Sequence, residues 1–441
     1  EPIIDVDLTS LDQTIIGFGG ALTEASAVVL SELRSELQQE LIDAYYGESG
    51  LEYTLGRVHI NSCDLSTSSY SFDDVKDDYA LSHFDMEVTR DTLALIPLIK
   101  RVRERVEKAG KELKLLASPW SPPAWMKSNQ QMVHSGFPGL RPECRDVWAR
   151  YIAKWLTAYK AQGINIWAMT IQNEPMANTP WEACIYSPEY EADFLANYLG
   201  PIIKSQHPEV AIFAFDHNKG DMVKYVKTVT QNAEAAKFLS GVAFHWYGGD
   251  HFEAVQEIHN SFPHYIMLPS EATYERYRMP SYLHGSLQGP GAPPFGLGYA
   301  HDIIGNLNSG GAGWIDWNIL LDTTGGPNHM GNTCDAAIIA DTKAQTLWKH
   351  PQYYYIGHFS KFLIPGSRVA KTTVTGSWKY TQSIGRPYGT CTGADGLEAV
   401  SALRPDGQIV VVVLNCAGQE KTFQLRINSQ SVVPKAVIPG Q

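Results

Sequence analysis

Two glutamates stand at the ends of apolar segments of the chain. Glu174 lies near the end of Thr170–Pro175, and Glu271 lies near the end of Leu268–Ala272. Hydrolysis of a glycosidic bond needs two carboxyl groups, one protonated to assist the leaving oxygen and one ionised to act at the anomeric carbon. A single such glutamate is weak evidence, because surface glutamates are common. Two of them, with Asn173 before the first, point more specifically to glycoside hydrolysis.

Apolar segments alternate with helical patterns through most of the chain, which predicts repeated βα units and a parallel sheet. The candidate strands are Ile15–Gly19, Tyr53–Ile60, Leu113–Ala117, Ile166–Ile171, Val210–Phe215, Gly241–Trp246, Tyr265–Leu268 and Gly313–Trp317. Eight strands with intervening helices predict an α/β fold of the (β/α)8 barrel type. Catalytic residues of such barrels lie at the carboxyl ends of the strands. Glu174 and Glu271 occupy that position on strands four and seven.

Other strand ends carry aromatic and polar residues that suit a sugar. Strand three runs into Ser118–Trp125, whose prolines predict a rigid loop holding Trp120 and Trp125. Strand six ends at His245-Trp246-Tyr247, strand eight ends at Trp314–Asn318, and strand two leads from Arg57 to Asp64. An apolar wall with a few fixed hydrogen-bonding groups matches the C–H faces and hydroxyl rim of a sugar ring. Core packing is the ordinary alternative for each tryptophan taken alone, and we assign Trp148 and Trp155 to it.

The pattern changes after about residue 362. Four further segments read as strands, with a turn at Pro405-Asp406-Gly407, and they are Val369–Trp378, Glu398–Leu403, Gln408–Leu414 and Thr422–Ile427. The first residues, Ile3–Leu8, also read as a strand that joins them. We therefore predict an N-terminal strand in 1–14, a catalytic barrel in 15–362, and a small antiparallel β-sandwich side domain in 363–441.

Composition excludes several classes of protein. The 35 Lys+Arg and 47 Asp+Glu give a net charge of −12, which disfavours a nucleic-acid partner. No apolar stretch is long enough for an integral membrane segment. The six cysteines are dispersed, which favours buried thiols over zinc, with one or two disulfides left open. The chain begins at Glu1-Pro2, from which we expect a processed, exported protein.

The chain resembles glycoside hydrolase family 30, and within it the glucosylceramidase (acid β-glucosidase) branch. The segments that carry the resemblance are Gly17–Glu24, Ala117–Lys127, Asn173–Pro175, His245–Tyr247, Ser270–Ala272, Asp316–Asn318, Gly326–Asn328 and Gly357–Phe362. The resemblance implies that Glu174 is the acid/base and Glu271 the nucleophile of a retaining double displacement, without metal or cofactor. It also implies that the subsite for the cleaved sugar is lined by Asp64, Trp120, Asn173, Trp317 and Asn328. His245 and Tyr247 are further expected substrate contacts.

Physical reasoning adds roles to some of these residues. Glu174 needs a raised pKa in order to hold a proton near neutrality. Glu271 needs donors that keep it ionised, for which Arg57 and Tyr247 are the candidates. Asn173 is expected to hydrogen-bond the sugar 2-hydroxyl.

The leaving group is less well defined by the sequence. Three segments depart from the animal lysosomal enzymes of the family, and they are Thr273–Arg278, Gln288–Phe295 and Asn332–Asp335. We expect these loops to rim the leaving-group side. A β-glucoside of the glucosylceramide type is the first candidate substrate. A β-1,6-glucanase or β-xylosidase of the same family is the alternative, and a non-catalytic carbohydrate-binding protein is a distant third.

Overall fold

A parallel eight-stranded sheet forms the centre of the computed structural model, which describes residues 1–275, 296–377, 391 and 394–440. The strands, numbered along the chain, are β1 (Ile3–Thr14), β2 (Gly17–Ala21), β3 (Leu55–Ile60), β4 (Lys114–Pro119), β5 (Ala168–Thr170), β6 (Ala211–Asn218), β7 (Leu239–His245), β8 (Ile266–Glu271), β9 (Gly313–Asn318), β10 (Leu321–Asp322), β11 (Ile338–Asp341), β12 (Thr346–Lys349), β13 (Arg368–Thr375), β14 (Ala394–Leu403), β15 (Ile409–Ala417), β16 (Lys421–Ile427) and β17 (Gln430–Ile438). The central sheet has the order β8-β7-β6-β5-β4-β3-β2-β9. A parallel bridge between Met267 and Gly311 brings its two ends together. The predicted (β/α)8 barrel is confirmed.

Helices surround this barrel. They are α1 (Glu24–Ser31), α2 (Ser35–Tyr46), α3 (Thr89–Thr92), α4 (Leu95–Lys108), α5 (Arg145–Ala161), α6 (Pro188–Phe194), α7 (Gly200–Gln206), α8 (Met222–Gln231), α9 (Ala233–Ala236), α10 (Phe252–Ser261), α11 (Gly296–Leu307) and α12 (Pro351–Ser360). Helix α4 buries Leu95, Leu98, Val102 and Val106 at helical spacing, in the same hydrophobic cluster as side chains of the barrel strands. Burying each such side chain contributes about 1.5–3 kcal/mol. Among the described residues, no helix is both long and apolar enough to span a bilayer.

The interior of the barrel is filled by side chains from its own strands. One buried cluster joins a residue from nearly every strand, namely Leu55, Leu116, Ala168, Phe213, Ala243, Leu268 and Ile315. Such a packed layer is typical of this barrel and leaves the carboxyl ends of the strands free to carry polar groups. Gly19 permits the close approach of β2 to β3, because a Cβ there would lie 2.1 Å from the Leu55 carbonyl oxygen.

A second sheet has the order β15-β14-β13-β1-β16-β17. The N-terminal strand β1 lies within it, antiparallel to β13 and parallel to β16, as expected. This sheet is the predicted β side domain, although residue 378 of one predicted strand lies outside the described residues. The division of the chain at residues 14 and 362 stays a prediction.

The cysteines behave in two ways. Cys391 and Cys416 form a disulfide, which is the alternative that the sequence left open. The expectation of buried thiols holds for the others, since Cys63, Cys144, Cys184 and Cys334 are free and buried.

Candidate active site

A cavity of about 210 Å³ opens at the carboxyl ends of the barrel strands. Residues from β3 through β9, or from the loops that follow them, line it. The two glutamates singled out in the sequence face each other across it. One carboxylate oxygen of Glu174, one of Glu271 and a ring nitrogen of His245 all lie within 4.8 Å of one another.

Glu271 accepts hydrogen bonds on both carboxylate oxygens. Arg57 Nη1 donates to Oε2, and the Tyr247 hydroxyl donates to Oε1 at 2.8 Å. Arg57 is fully buried and also donates through Nη2 to Asn173 Oδ1 at 2.9 Å. The Asn173 amide is thereby fixed, and its NH₂ group remains as the donor on the cavity side. Both donors predicted for Glu271 are in contact with it.

The residue that organises the site is Asp216, which the sequence reasoning missed. Its buried carboxylate accepts five hydrogen bonds, from Arg57 (2.8 Å), His245 (2.9 Å), Ser118 (3.1 Å), Thr170 (2.7 Å) and Ser270 (2.6 Å). Burial opposes its charge, but Arg57 and His245 hold its pKa well below the ordinary value. A signal was present in the sequence, because Asp216-His217-Asn218 follows the fifth candidate strand as a polar run.

His245 lies between two carboxylates. Its Nε2 faces Asp216, and its Nδ1 faces Glu174 Oε1 at 3.1 Å. Burial opposes protonation, but the charges of Glu271 and Asp216 raise the pKa of His245 to about 10. The imidazole is therefore charged at neutral pH and donates in both directions. His245 was predicted from the sequence to contact the substrate. It is instead 1% exposed and lies behind the cavity wall.

The protonation of the two glutamates also differs from expectation. Burial would raise the pKa of Glu174, but the hydrogen bond and charge of His245 outweigh it and lower that pKa. Burial raises the pKa of Glu271, with Glu174 adding to the rise and His245 and Arg57 opposing it. The expected raised pKa of Glu174 is therefore wrong. The cause is the charged imidazole, whose protonation the sequence did not reveal.

One side of the cavity is aromatic. The rings of Trp120 and Trp317 stack with centroids 5.3 Å apart and planes 21° apart. The guanidinium of Arg57 lies 4.8 Å from the Trp120 ring centroid. Asp64 completes this side, and its Oδ2 accepts from Asn332 Nδ2 at 2.7 Å. Its Oδ1 is buried without a hydrogen-bond partner among the described residues.

Two other predicted residues are not brought to the cavity. Asn328 is absent from its lining, because its side-chain oxygen accepts from the Met330 backbone N–H within the loop. Asn332 lines the cavity instead, in the place that was expected for Asn328. Trp125 turns away and donates to the Asp73 carbonyl oxygen at 2.9 Å. By contrast, Asp64, Trp120, Asn173, Tyr247 and Trp317 line the cavity together with both glutamates.

Two groups of described residues have ligand atoms close enough to hold a metal ion. In the first, Glu174, His245 and Glu271, both imidazole nitrogens already face carboxylates. In the second, His301, Glu398 and Cys416, the cysteine is in the disulfide and offers no thiolate. Neither group has the donors that a resident metal would need, and the absence of a cofactor stays a prediction.

Comparison with known proteins places this geometry in context. Residues 15–363 match the glycosyl hydrolase family 30 TIM-barrel domain, and residues 387–441 match the family 30 beta sandwich domain. A protein named putative glucosylceramidase 3 from Caenorhabditis elegans is 37% identical, over 85% of this chain and 71% of its own length. Mouse lysosomal acid glucosylceramidase is 33% identical, over 92% of this chain and 76% of its own length.

Solved structures agree with these sequence matches. The crystal structure of SrfJ from Salmonella typhimurium has a TM-score of 0.86 and 34% identity, and the match covers 99% of this chain and 90% of SrfJ. A further relative, matched by sequence and not by structure, is an endo-1,6-β-D-glucanase from Aspergillus fumigatus. It is 29% identical over 92% of this chain and 80% of its own length.

Proposed function

The chain belongs to glycosyl hydrolase family 30 and is a glycoside hydrolase, and on that premise we propose that it cleaves β-glucosides with retention, by double displacement. The observation that carries this proposal is the close approach of the two carboxylates. Retaining enzymes have their carboxyl groups about 5–5.5 Å apart, whereas inverting enzymes need about 6.5–9.5 Å to admit a water. The nearest oxygens of the two carboxylates lie within 4.8 Å of one another here, and this close approach favours direct attack by one carboxylate.

In the first step Glu271 attacks the anomeric carbon while Glu174 protonates the leaving oxygen, and a covalent glycosyl-enzyme forms. In the second step Glu174 takes a proton from water, the water oxygen bonds to the anomeric carbon, and the Glu271 carboxylate is released. Arg57 and Tyr247 suit Glu271 to the role of nucleophile, because their hydrogen bonds stabilise its ionised form. Asn173, fixed by Arg57, is oriented for the hydroxyl next to the reacting carbon.

The lowered pKa of Glu174 is compatible with its role as acid when His245 is included. The imidazole holds a proton on Nδ1, 3.1 Å from Glu174 Oε1. Glu174 and His245 thus share one transferable proton. As the leaving oxygen gains negative charge, the proton passes through Glu174 to it. His245 is in this view a positioning and proton-storing residue.

The size of the cavity supports a single sugar unit as the group that is cleaved. Its volume of about 210 Å³ is below the roughly 300–1,000 Å³ of sites for drug-sized ligands. The names of the relatives support a glucosylceramide-type substrate first and a β-1,6-linked glucan second. We also propose that the protein is exported, which the Cys391–Cys416 disulfide supports, because disulfides persist in oxidising compartments.

The test combines stereochemistry with two variants. NMR of the first-formed sugar from an aryl β-glucoside should show the β-anomer. Glu271→Gln should abolish turnover while retaining substrate binding. Glu174→Ala should still form the glycosyl-enzyme from an activated aryl glucoside, and azide should accelerate its breakdown. First appearance of the α-anomer, or substantial hydrolysis by Glu271→Gln, would contradict the proposal.

A further inference from the structure

Three loops at the mouth of the barrel meet at a histidine that the proposed chemistry does not use. His329 lies in the loop that follows β9. Its Nε2 faces Glu182 Oε1 at 3.1 Å, in the loop that follows β5. Its Nδ1 faces the Ser66 carbonyl oxygen at 2.8 Å, in the loop that follows β3. The imidazole therefore joins three segments that are far apart in the sequence.

Each of these loops carries part of the cavity wall. The loop after β3 contributes Asp64, the loop after β5 contributes Trp181, and the loop after β9 contributes Asn332. Trp181 directly precedes Glu182 in the chain. Asn332 Nδ2 also donates directly to Asp64 Oδ2 at 2.7 Å. His329 does not line the cavity, so it acts on a bound sugar only through the loops that it joins.

Glu182 is a buried carboxylate whose charge needs a partner. Its side chain is 0% exposed, and its Oε2 has no hydrogen-bond partner in the described part of the chain. Its Oε1 accepts from the Ser62 hydroxyl at 2.7 Å as well as from His329. Burial opposes the ionised form, but the hydrogen bonds of His329 and Ser62 outweigh it and lower the pKa of Glu182. An ionised carboxylate in this position depends on the charge of His329.

The bridge is complete only when the imidazole is charged. A carboxylate and a carbonyl oxygen are both acceptors, so both ring nitrogens must carry a proton. The charged groups that face His329 are Glu182 and Asp64. Burial opposes the charge, but Glu182, the Ser66 carbonyl oxygen and Asp64 outweigh it and raise the pKa of the imidazole from its ordinary value of 6.5. The side chain of His329 is 13% exposed, which gives protons access to it from solvent.

From this geometry we infer that His329 is a positioning residue, whose imidazolium clamps the loops after β3, β5 and β9 around the sugar that is cleaved. The inference rests on the proposed function and deepens it, since it describes how pH regulates the same site. When Nε2 loses its proton, the bond to Glu182 is lost, and the Ser69 hydroxyl at 3.3 Å becomes the partner of Nε2. The loop that carries Asn332 then loses its contact with the loop that carries Trp181. The clamp is therefore complete below pH 6.5 and is lost as the pH rises through the raised pKa of His329.

The test measures binding of phenyl 1-thio-β-glucoside, a neutral analogue that resists hydrolysis, by isothermal titration calorimetry over a range of pH. His329→Gln should raise Kd about tenfold at acid pH. The ratio of its Kd to that of the wild-type protein should fall toward one as the wild-type imidazole becomes neutral. Burial raises the pKa of Asp64 as well, but that group titrates in both proteins and cancels in the ratio. With an aryl β-glucoside the loss should fall on KM and leave kcat nearly unchanged, because the described hydrogen bonds of the two catalytic glutamates do not include His329.

Glu182→Gln should reproduce this loss from the other side of the pair. The double variant should bind no more weakly than either single variant, since the two residues act as one unit. NMR titration of the His329 imidazole should give a pKa above 6.5 in the wild-type protein and a lower one in Glu182→Gln. The matched control is His264→Gln, an exposed imidazole just before β8 at the other end of the barrel, which should leave Kd unchanged. Circular dichroism melting checks that each variant folds, and if Glu182→Gln does not, the pH series of His329→Gln decides.

Three results would overturn the clamp. They are a Kd ratio that does not change with pH, a double variant whose losses add, and a wild-type His329 that titrates at or below pH 6.5. None of these measurements requires turnover. Failure of the wild-type protein to hydrolyse or bind any aryl β-glucoside would overturn the proposed function instead, and the NMR titration would still decide whether His329 and Glu182 form a charged pair.

Discussion

Replacing Asp216 by Asn tests the electrostatic basis of the site. The substitution keeps the shape and removes one buried charge. Arg57 donates to Oδ2, so the Asn oxygen must face Arg57 and the Asn NH₂ must face the other side. That NH₂ group then meets His245 Nε2, which in the wild-type protein donates to Asp216 Oδ1. His245 has to give up its Nε2 proton and become neutral.

The expected loss of stability follows from the broken buried pair. Removing one partner of such a pair costs about 3–5 kcal/mol. We expect the lower end, about 3 kcal/mol, because His245 can neutralise itself. In the wild-type protein the pKa of His245 is raised from 6.5 to about 10. The contribution of the His245–Asp216 pair to the free energy of unfolding is therefore fully present below pH 6.5 and is lost as the pH rises toward 10.

The same change should move the pH–rate profile. Charged His245 lowers the pKa of both Glu174 and Glu271, and its hydrogen bond and charge act on Glu174 more strongly than the opposing charge of Asp216 does. With a neutral imidazole, both glutamates should titrate at higher pH. The bell-shaped profile of kcat/KM should therefore shift as a whole toward alkaline pH, with a lower maximum.

The assays are guanidinium unfolding followed by tryptophan fluorescence between pH 6 and 10, and kcat/KM for an aryl β-glucoside over the same range. The stability difference from wild type should narrow as the pH rises. Asp12→Asn is the control, since Asp12 accepts from His259 Nε2 at 2.9 Å in a similar pair but is 57% exposed. An Asp216→Asn variant with an unshifted pH profile, or with wild-type stability at pH 6, would refute the reasoning.

Four further variants probe the cavity and the side domain. Asn332→Ala should lower kcat/KM for an aryl β-glucoside by about tenfold, because Asn332 orients the Asp64 carboxylate in the cavity wall. Asn328→Ala is the control and should change kcat/KM less than twofold. Glu398→Gln should lower the free energy of unfolding by about 3 kcal/mol in guanidinium titrations, since it removes one of the two buried counter-charges of His301, the other being Asp250; unchanged stability would count against that pair. Cys391→Ser opens a disulfide with a sequence separation of 25 and should cost about 3.5 kcal/mol by the chain-entropy relation, a loss that a reducing agent should reproduce in the wild-type protein.

The barrel could be predicted from sequence because its signal is local. Each strand is a short apolar run next to a helical pattern, and the observed strands lie within three residues of the predicted bounds. Both glutamates were found because a lone acidic residue at the end of a buried strand has no packing role. The same criterion applied to strand five would have found Asp216.

The remaining errors concern the direction in which a polar side chain points. His245 ends a strand, much as the two glutamates stand at strand ends, yet its two ring nitrogens face Glu174 and Asp216. Asn328 and Asn332 lie four residues apart in one loop, and only the folded loop decides which of them reaches Asp64. Protonation states depend on such contacts, which explains why the pKa of Glu174 was expected to shift in the wrong direction.

The backbone around Asp216 supports its role as the organising residue. Phe215, Asp216 and Glu174 have φ values of 78°, 54° and 45°, in the left-handed region that side chains rarely adopt. The Glu174 N–H donates to the Asp216 carbonyl oxygen at 3.0 Å, so the strained residues support each other. Each such residue costs of order 1–3 kcal/mol, and the buried charge of Asp216 adds to that cost. A fold keeps such unfavourable residues where geometry matters more than stability, and here the geometry holds the Asp216 carboxylate against Arg57 and His245, which in turn contact Glu271 and Glu174.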